Sequence, residues 1–345
     1  SSRHIGSRRA QTFVILANSN WDSRGYFAMV AAPARNTEDL PFPRTIGYWA
    51  LAANGAKGGG TKYLTLQYLN FARWTAQQHS CNLPQAIKIM ARNYVFHADG
   101  RFTPLGFFKM WWPYVTLMNE TVHWGMKVPL AMCLYDKSRE VGLGQHSGLF
   151  VGVALSSAGE VVATGWSERF GVHMGLRQLS SYKESLRLSQ EARGNIVAAA
   201  YAGAGGLWLR NFAWNFAFFE WKRFFHNAVE ETPAGAPSWF CWHLDWLRTL
   251  DKKDQANFLT FEAATLGTYL TFFNMAGDNI KTKMQHDPAR YPNFRDTCLE
   301  IWGKHGLLGF ARGGLFKGIY LILGATVAIG IQERLSEIMA ALMHR

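Results

Sequence analysis

Two short motifs alternate along the chain, each three times, and this alternation restricts the possible folds more than any other feature. The first motif is an acid three residues before a base, clearest at Asp278 and Lys281. Its weaker copies begin at Asn70 and Glu160. The second motif is an aromatic residue, an acid, two residues and a base; its acid positions are Asp136, Glu220 and the degenerate Glu333. The spacing from the first motif to the second is 66, 60 and 55 residues.

Each such unit has room for a helix, a connecting segment and a second helix. A unit of this kind cannot bury its own apolar faces, so the three units must pack around one another. The sequence therefore predicts an all-α membrane protein with six transmembrane helices in three tandem two-helix repeats, arranged with pseudo-threefold symmetry. The predicted segments are an N-terminal extension (1–45), repeat 1 (46–142), repeat 2 (143–231), a Trp-rich inter-repeat segment (232–253) and repeat 3 (254–345).

The composition restricts the function classes. The net charge of +12 favours a polyanionic partner. Nucleic acid is not expected, because the bases form no stripe and no nucleic-acid motif is present. We expect no metal site, cofactor or enzyme activity: there is no convincing nucleophile–base set, and the cysteines lack zinc-like spacing, at Cys81, Cys133, Cys241 and Cys298. Apolar stretches with isolated ionisable groups, 110–135 and 196–221, suit membrane helices with a polar inner stripe. They also suit buried helices of a soluble protein.

The first 37 residues hold five arginines and one acid, Asp22. This composition is typical of an organellar targeting segment or its remnant, and equally of an ordinary basic tail. The glycine-rich stretch 55–62 has Lys and Thr in the wrong order for a phosphate loop. Helix contact through small residues is the better interpretation, as for Gly148 and Gly152.

The third repeat carries a family resemblance. Its motif residues run from Asp278 to Gln285 and continue with Tyr291, Asp296, Gly306, Arg312, Gly313 and Glu333. This pattern resembles the mitochondrial carrier family, whose signature is Pro-x-acid-x-x-base on odd helices and aromatic-acid-x-x-base on even helices. The resemblance runs from about residue 46 to the C-terminus. It implies the mitochondrial inner membrane, short matrix helices between the paired spans, and alternating access around a central site.

The resemblance also implies two gates made of ion pairs. At the matrix gate Glu160 would pair with Lys281, Asp278 would pair with Arg73, and Asn70 would face Ala163. Gln77 and Gln285 would brace this gate. The gate facing the intermembrane space would use Asp136, Arg139, Glu220, Arg223 and Glu333, with Ser336 replacing the third base.

Two departures from the family pattern bear on transport. All three signature prolines are replaced, by Tyr68, Ala158 and Ala276. The substrate-contact positions, about thirteen residues before each even-helix acid, are His123, Leu207 with Trp208, and Tyr320. We therefore expect a cavity without fixed charge, in which an anionic metabolite has little to hold it.

Two further features concern partners. The family binds cardiolipin at matrix-side helix ends, which implies bound cardiolipin near Gly306, Arg312, Gly313 and Lys317. The segment after the second repeat places Trp239, Trp242 and Trp246 at helical spacing. It predicts a short amphipathic helix that lies on the membrane, docks on a partner, or packs on its own bundle.

Two functional interpretations stay open. The first is a carrier-like inner-membrane protein with impaired transport, serving as a structural accessory subunit of a respiratory or ATP synthase complex. The lost prolines, the uncharged cavity and the Trp-rich segment favour it. The alternative is an active mitochondrial carrier of a neutral or aromatic metabolite.

Overall fold

The computed structural model describes residues 48–96, 101–103, 114–177, 182–269, 272–320 and 323. The predicted N-terminal extension and Glu333 lie outside these ranges. Within them the chain is helical, apart from loops and one isolated bridge between Phe96 and Phe102. The predicted all-α class is thus met in the described part of the chain.

The helices follow one another along the chain with short connections. They are α1 (Tyr48–His79), α2 (Leu83–Tyr94), α3 (Tyr114–Glu140), α4 (Gln145–Arg177), α5 (Tyr182–Arg193), α6 (Ile196–Ala200), α7 (Ala204–Glu230), α8 (Ser238–Thr249), α9 (Lys252–Tyr269), α10 (Phe272–His286) and α11 (Phe294–Phe310). Residues 314–320 are helical as well.

The long helices form a closed ring. Helix α1 packs against α3, α3 against α4, and α4 against α7. Helix α7 packs against α9 and α10, and α10 returns to α1. Among the described residues one stretch, Gln145–His173, is long and apolar enough to cross a membrane by length and composition. The other long helices carry ionisable residues, such as Glu120 and Lys127 of α3, and the prediction of six spans stays a prediction.

Glycines let the helix backbones of this ring touch. A Cβ atom added at Gly55 of α1 would lie 2.1 Å from the Trp124 carbonyl oxygen of α3. At Gly152 of α4 it would lie 2.7 Å from the Tyr135 backbone nitrogen of α3. The expected role of Gly152 in helix contact is confirmed, and the stretch 55–62 is an ordinary part of α1.

Another close crossing joins α7 and α10. A Cβ at Gly206 would lie 2.7 Å from the Lys281 backbone nitrogen, and one at Gly277 would lie 2.6 Å from the Arg210 backbone nitrogen. Only glycine fits such an approach, because the nearby atoms are backbone and cannot rotate away. The crossing therefore sets Arg210 of α7 beside the charged residues of α10.

Helix α8 has an inner and an outer face. Phe240, Leu244 and Leu247 are buried against Phe225 and other side chains of α7 and α9. Trp239 and Trp242 are 70% and 72% exposed. The segment therefore packs on its own bundle with one face and presents two tryptophans outward with the other.

The crossing of α7 and α10 predicts opposite effects for two adjacent glycines. We expect Gly206→Ala to lower stability by about 1–3 kcal/mol, because the added methyl group overlaps backbone atoms. Gly205→Ala is the matched control, since its Cβ would meet Phe294 at an ordinary 3.5 Å. We expect it to be neutral or stabilising by up to about 1 kcal/mol. Thermal unfolding of the purified chain in detergent measures both, and equal melting temperatures for the two variants would contradict the close crossing.

Candidate functional site

The ring of helices encloses a central cavity. Its volume open to the centre of a water molecule is about 50 Å³, enough for a few waters or a small solute. Most of its lining is polar or charged. The lining residues are Lys62, Arg73, Asn119, Glu120, His123, Trp124, Lys127, Glu168, Arg210, Asn211, Trp214, Asn274, Lys317 and Tyr320.

One carboxylate, that of Asp278 on α10, gathers bases from several elements. Its side chain is fully buried. Arg73 Nε of α1 lies 3.5 Å from Asp278 Oδ2, and Arg210 Nη1 of α7 lies 3.4 Å from Oδ1. Lys281 Nζ lies 3.4 Å from Oδ1, and Lys317 Nζ lies 3.9 Å from Oδ2. This one side chain therefore links α1, α7, α10 and the helical residues 314–320.

A second carboxylate, that of Glu168 on α4, shares two of these bases. Lys281 Nζ donates to Glu168 Oε1 at 2.5 Å. Arg210 forms two hydrogen bonds with Glu168, one of them to Oε2 at 3.1 Å. We call the group of Asp278, Glu168, Arg73, Arg210, Lys281 and Lys317 the Asp278 cluster. Among the described residues it holds four bases and two acids, a formal surplus of two positive charges when all six side chains are ionised.

Neutral side chains hold the cluster in place. Gln77 Nε2 donates to Asp278 Oδ2 at 2.8 Å, and Thr282 Oγ1 donates to Gln77 Oε1 at 2.8 Å. Lys317 Nζ donates to Asn274 Oδ1 at 2.5 Å. The charged groups are thus oriented by hydrogen bonds, and their surplus charge stays buried at the cavity wall.

A second buried group surrounds Glu160 of α4. Asn215 Nδ2 of α7 donates to Glu160 Oε1 at 2.9 Å, and His123 Nδ1 of α3 lies 3.4 Å from Oε2. Lys127 Nζ lies 3.8 Å from the centre of the Trp214 ring. We call Glu160, His123, Lys127 and Asn215 the Glu160 cluster.

A third group lies between α1 and α3. Lys62 Nζ is 3.9 Å from Glu120 Oε2, and Trp124 Nε1 donates to the same oxygen at 3.1 Å. Asn70 Nδ2 donates to the Tyr320 hydroxyl at 2.8 Å. This group carries one acid and one base, so it adds no surplus charge of its own.

The structure brings together one of the two expected matrix-gate ion pairs. Arg73 and Asp278 are in contact, and Gln77 braces Asp278. The expected contact of Glu160 with Lys281 is wrong, because Lys281 binds Glu168 instead. Glu168 lies eight residues further along α4, about 12 Å at 1.5 Å per residue.

The alignment of the second repeat explains that error. The sequence Ala158-Gly159-Glu160 is similar to Ala276-Gly277-Asp278. The acid that binds Lys281 is nevertheless Glu168, about two helical turns further along α4. The pairing of Asn70 with Ala163 rests on the same alignment and falls with it. Gln285 is buried without a hydrogen-bond partner for its side chain in the part of the chain that the structure describes. A gating role for any of these residues stays a prediction.

The even-helix residues contact their own helix, the loop after it and one neighbouring helix. Glu220 pairs with Arg223 of the same helix and with His146 Nδ1 at 3.1 Å. Asp136 accepts a hydrogen bond from the Tyr48 hydroxyl, and Arg139 donates to the Leu143 carbonyl oxygen at 2.5 Å. Their role in a second gate stays a prediction.

The expectation of a cavity without fixed charge is wrong. His123 and Tyr320 line the cavity, but Leu207 is buried in the helix packing and Trp208 donates to the Ala154 carbonyl oxygen at 3.1 Å. Helix α7 presents Arg210 instead. Side chains two residues apart on an α-helix point about 200° apart. The predicted contact Trp208 therefore lies on the outer face of α7, whereas Arg210, two residues later, lies on the inner face. The isolated Arg210 in an apolar stretch was the signal that would have found it.

The expected lipid-binding residues lie at two helix ends. Gly306 (φ 59°) interrupts α11, and Gly313 (φ 76°) precedes the helical residues 314–320. The Arg312 carbonyl oxygen accepts a hydrogen bond from Asn279 at 3.5 Å. Lys317 is buried in the Asp278 cluster, so its assignment to a lipid site is wrong: its side chain turns inward. Cardiolipin binding by the other residues stays a prediction.

Comparisons with known proteins give one short match. No protein-family model matches the chain. The chain is 36% identical over 69 residues to the mitochondrial glycine transporter B of Danio rerio, a match covering 20% of this chain. The match spans about a quarter of the length of that relative, 24%. This weak, partial match suggests a relation to the mitochondrial carriers.

The Asp278 cluster predicts a large loss of stability for Asp278→Asn. The substitution leaves four buried bases with one carboxylate, and removing one partner of a buried ion pair costs about 3–5 kcal/mol. The matched control is Glu300→Gln, which weakens exposed contacts to Arg290 and Lys304 worth less than about 1 kcal/mol. Thermal unfolding in detergent compares them, and a similar small shift for both variants would argue against a buried cluster.

Proposed function

We propose that this chain is a carrier-like transporter of a small divalent anion in the mitochondrial inner membrane. The observation that carries the proposal is the surplus of two positive charges in the Asp278 cluster. A buried charge without a partner is costly, so the cluster favours a ligand that brings two negative charges. Arg73, Arg210 and Lys317 line the cavity and are available to such a ligand.

The size of the cavity and the ion pairs between its helices agree with this function. A cavity of about 50 Å³ suits a compact anion such as phosphate, sulfate or a short dicarboxylate. The ion pairs join α1, α4, α7 and α10 at one level of the ring. Such pairs hold helices together when dry and separate when water and a charged solute enter, which is the requirement of alternating access.

This proposal replaces the neutral or aromatic cargo of the alternative interpretation, in which the chain is an active carrier. A neutral solute leaves the surplus charge unpaired. The name of the Danio rerio relative gives glycine as the solute of that protein. Glycine is a zwitterion without net charge, so it also leaves the surplus unpaired, and it serves here as the competing solute in the test.

Uptake into liposomes tests the proposed solute class. We expect the purified, reconstituted chain to take up labelled phosphate, sulfate or a short dicarboxylate faster than glycine or an aromatic amino acid. Arg210→Gln should slow this uptake about tenfold or more, because a charge-assisted contact contributes about 1.5–3 kcal/mol.

The matched control is Arg187→Gln, which alters an exposed arginine of α5 paired with Glu191. We expect it to transport as the unaltered chain does. Uptake of glycine but of no dianion, or uptake that is indifferent to Arg210→Gln, would sink the proposal.

An accessory role in a larger inner-membrane complex is the second candidate function. The observation that favours it is the outer face of α8, where Trp239 and Trp242 are exposed. Exposed tryptophans of this kind are enriched where proteins meet. The same face also suits the lipid interface, where the polar N–H of the indole meets water.

Native gels after mild detergent extraction show whether the outer face of α8 contacts a partner protein or lipid. If α8 docks on a partner, the chain co-migrates with a respiratory complex or the ATP synthase, and Trp239→Ser with Trp242→Ser releases it. Trp302→Ser on α11 removes a similarly exposed tryptophan, 58% accessible, and should leave co-migration intact. Migration of the unaltered chain by itself would argue against the accessory role.

A further inference from the structure

Glu160 is a buried acid that the Asp278 cluster does not use. It lies in the middle of α4, about two helical turns from Glu168, with no exposed surface. Its Oε1 accepts the hydrogen bond from Asn215. Its Oε2 has no hydrogen-bond donor among the described residues, although His123 Nδ1 lies 3.4 Å away. One oxygen of a buried acid is therefore turned toward a titratable ring without a formed hydrogen bond.

Charged groups of α1, α3, α4 and α7 act on this pair. Lys127 stands on α3 with His123, and Arg210 stands on α7 with Asn215. Glu168 acts from further along α4, and Lys62 acts on His123 from α1. With Glu160 ionised, His123 neutral and Lys127 charged, the Glu160 cluster has no net charge. One added proton gives it a charge of +1.

The pair also has access to water. His123 and Lys127 line the cavity, whereas Glu160 sits behind them. A proton from cavity water can therefore bind the imidazole, and the carboxylate of Glu160 stabilises the imidazolium that forms. Acid–histidine pairs within membrane helices are the usual elements of proton relays.

We propose that the pair of Glu160 and His123 binds a proton that travels with the transported anion. The proton enters from water on one side, is held between the imidazole and the carboxylate, and leaves to water on the other side when the cavity reopens there. This inference rests on the proposed anion transport. It adds that a proton gradient across the membrane drives the uptake of the anion. The bound proton places one more positive charge at the cavity wall, which strengthens anion binding, and by reciprocity the bound anion strengthens proton binding.

The test uses labelled sulfate, because sulfate remains a dianion and takes up no proton itself from about pH 6 to pH 8. The full chain is reconstituted into liposomes that contain a pH-sensitive dye, with the outside more acidic than the lumen. The transported pair of one sulfate and one proton carries a net charge of −1, so potassium with valinomycin on both sides holds the membrane potential near zero. We then expect the gradient to drive accumulation up to about tenfold per pH unit and the lumen to acidify during uptake. Both readings are made on the unaltered chain, so neither depends on the folding of a variant.

Glu160→Gln removes the carboxylate that stabilises the bound proton, with little change of shape. We expect the ratio of uptake with the gradient to uptake without it to fall to about one, a loss of about tenfold per pH unit. His123→Asn should give the same loss. Glu191→Gln, an exposed acid of α5, is the matched control and should keep the full ratio.

Each outcome decides one part of the account. Sulfate uptake that ignores the gradient and leaves the lumen pH unchanged would overturn the coupling while the anion transport stands. Coupling that survives Glu160→Gln would remove the pair from it. Absence of uptake for every anion would refute the proposed function and, with it, the coupling.

Discussion

The carboxylate of Asp278 is the point on which the rest of the structure depends. It is fully buried, and within 3.9 Å it meets bases from α1, α7, α10 and the helical residues 314–320. Each base would be costly to bury by itself, so the helices that carry them are held around one acid. The approach is possible because Gly206 and Gly277 let α7 and α10 touch at the backbone. Packing and charge pairing therefore require each other at this crossing.

The proposed function of the Asp278 cluster rests on its charge imbalance. Each of its four bases contacts a carboxylate, but the two carboxylates do not compensate all four charges, and a bound anion would. The Glu160 cluster, by contrast, has no net charge with Glu160 and Lys127 ionised and His123 neutral. One added proton gives it a charge of +1. The two groups lie on the same helix, α4, through Glu168 and Glu160. Anion binding and proton binding would act on one rigid element.

The sequence was sufficient for the all-α class and for part of the site. The third repeat identified Asp278 and Lys281, and the family resemblance implied the pairing of Asp278 with Arg73, which the structure shows. The sequence was insufficient to show which side of a helix faces the cavity, or at what position along the helix a contact forms. Trp208 and Arg210 are two residues apart and face opposite sides of α7, and Glu160 and Glu168 share one helix at different levels. A short sequence motif does not show how far along the bundle axis a residue lies. That position is set by the packing of neighbouring helices.

We propose above all that the surplus charge beside Asp278 holds a dianion. Titration calorimetry of the purified full chain with sulfate, a short dicarboxylate and glycine measures this at equilibrium, without any transport step. The account predicts that one dianion binds per chain, that binding weakens with added salt, and that glycine neither binds nor competes. Glycine binding that displaces the dianion, or the absence of any dianion binding, would contradict it.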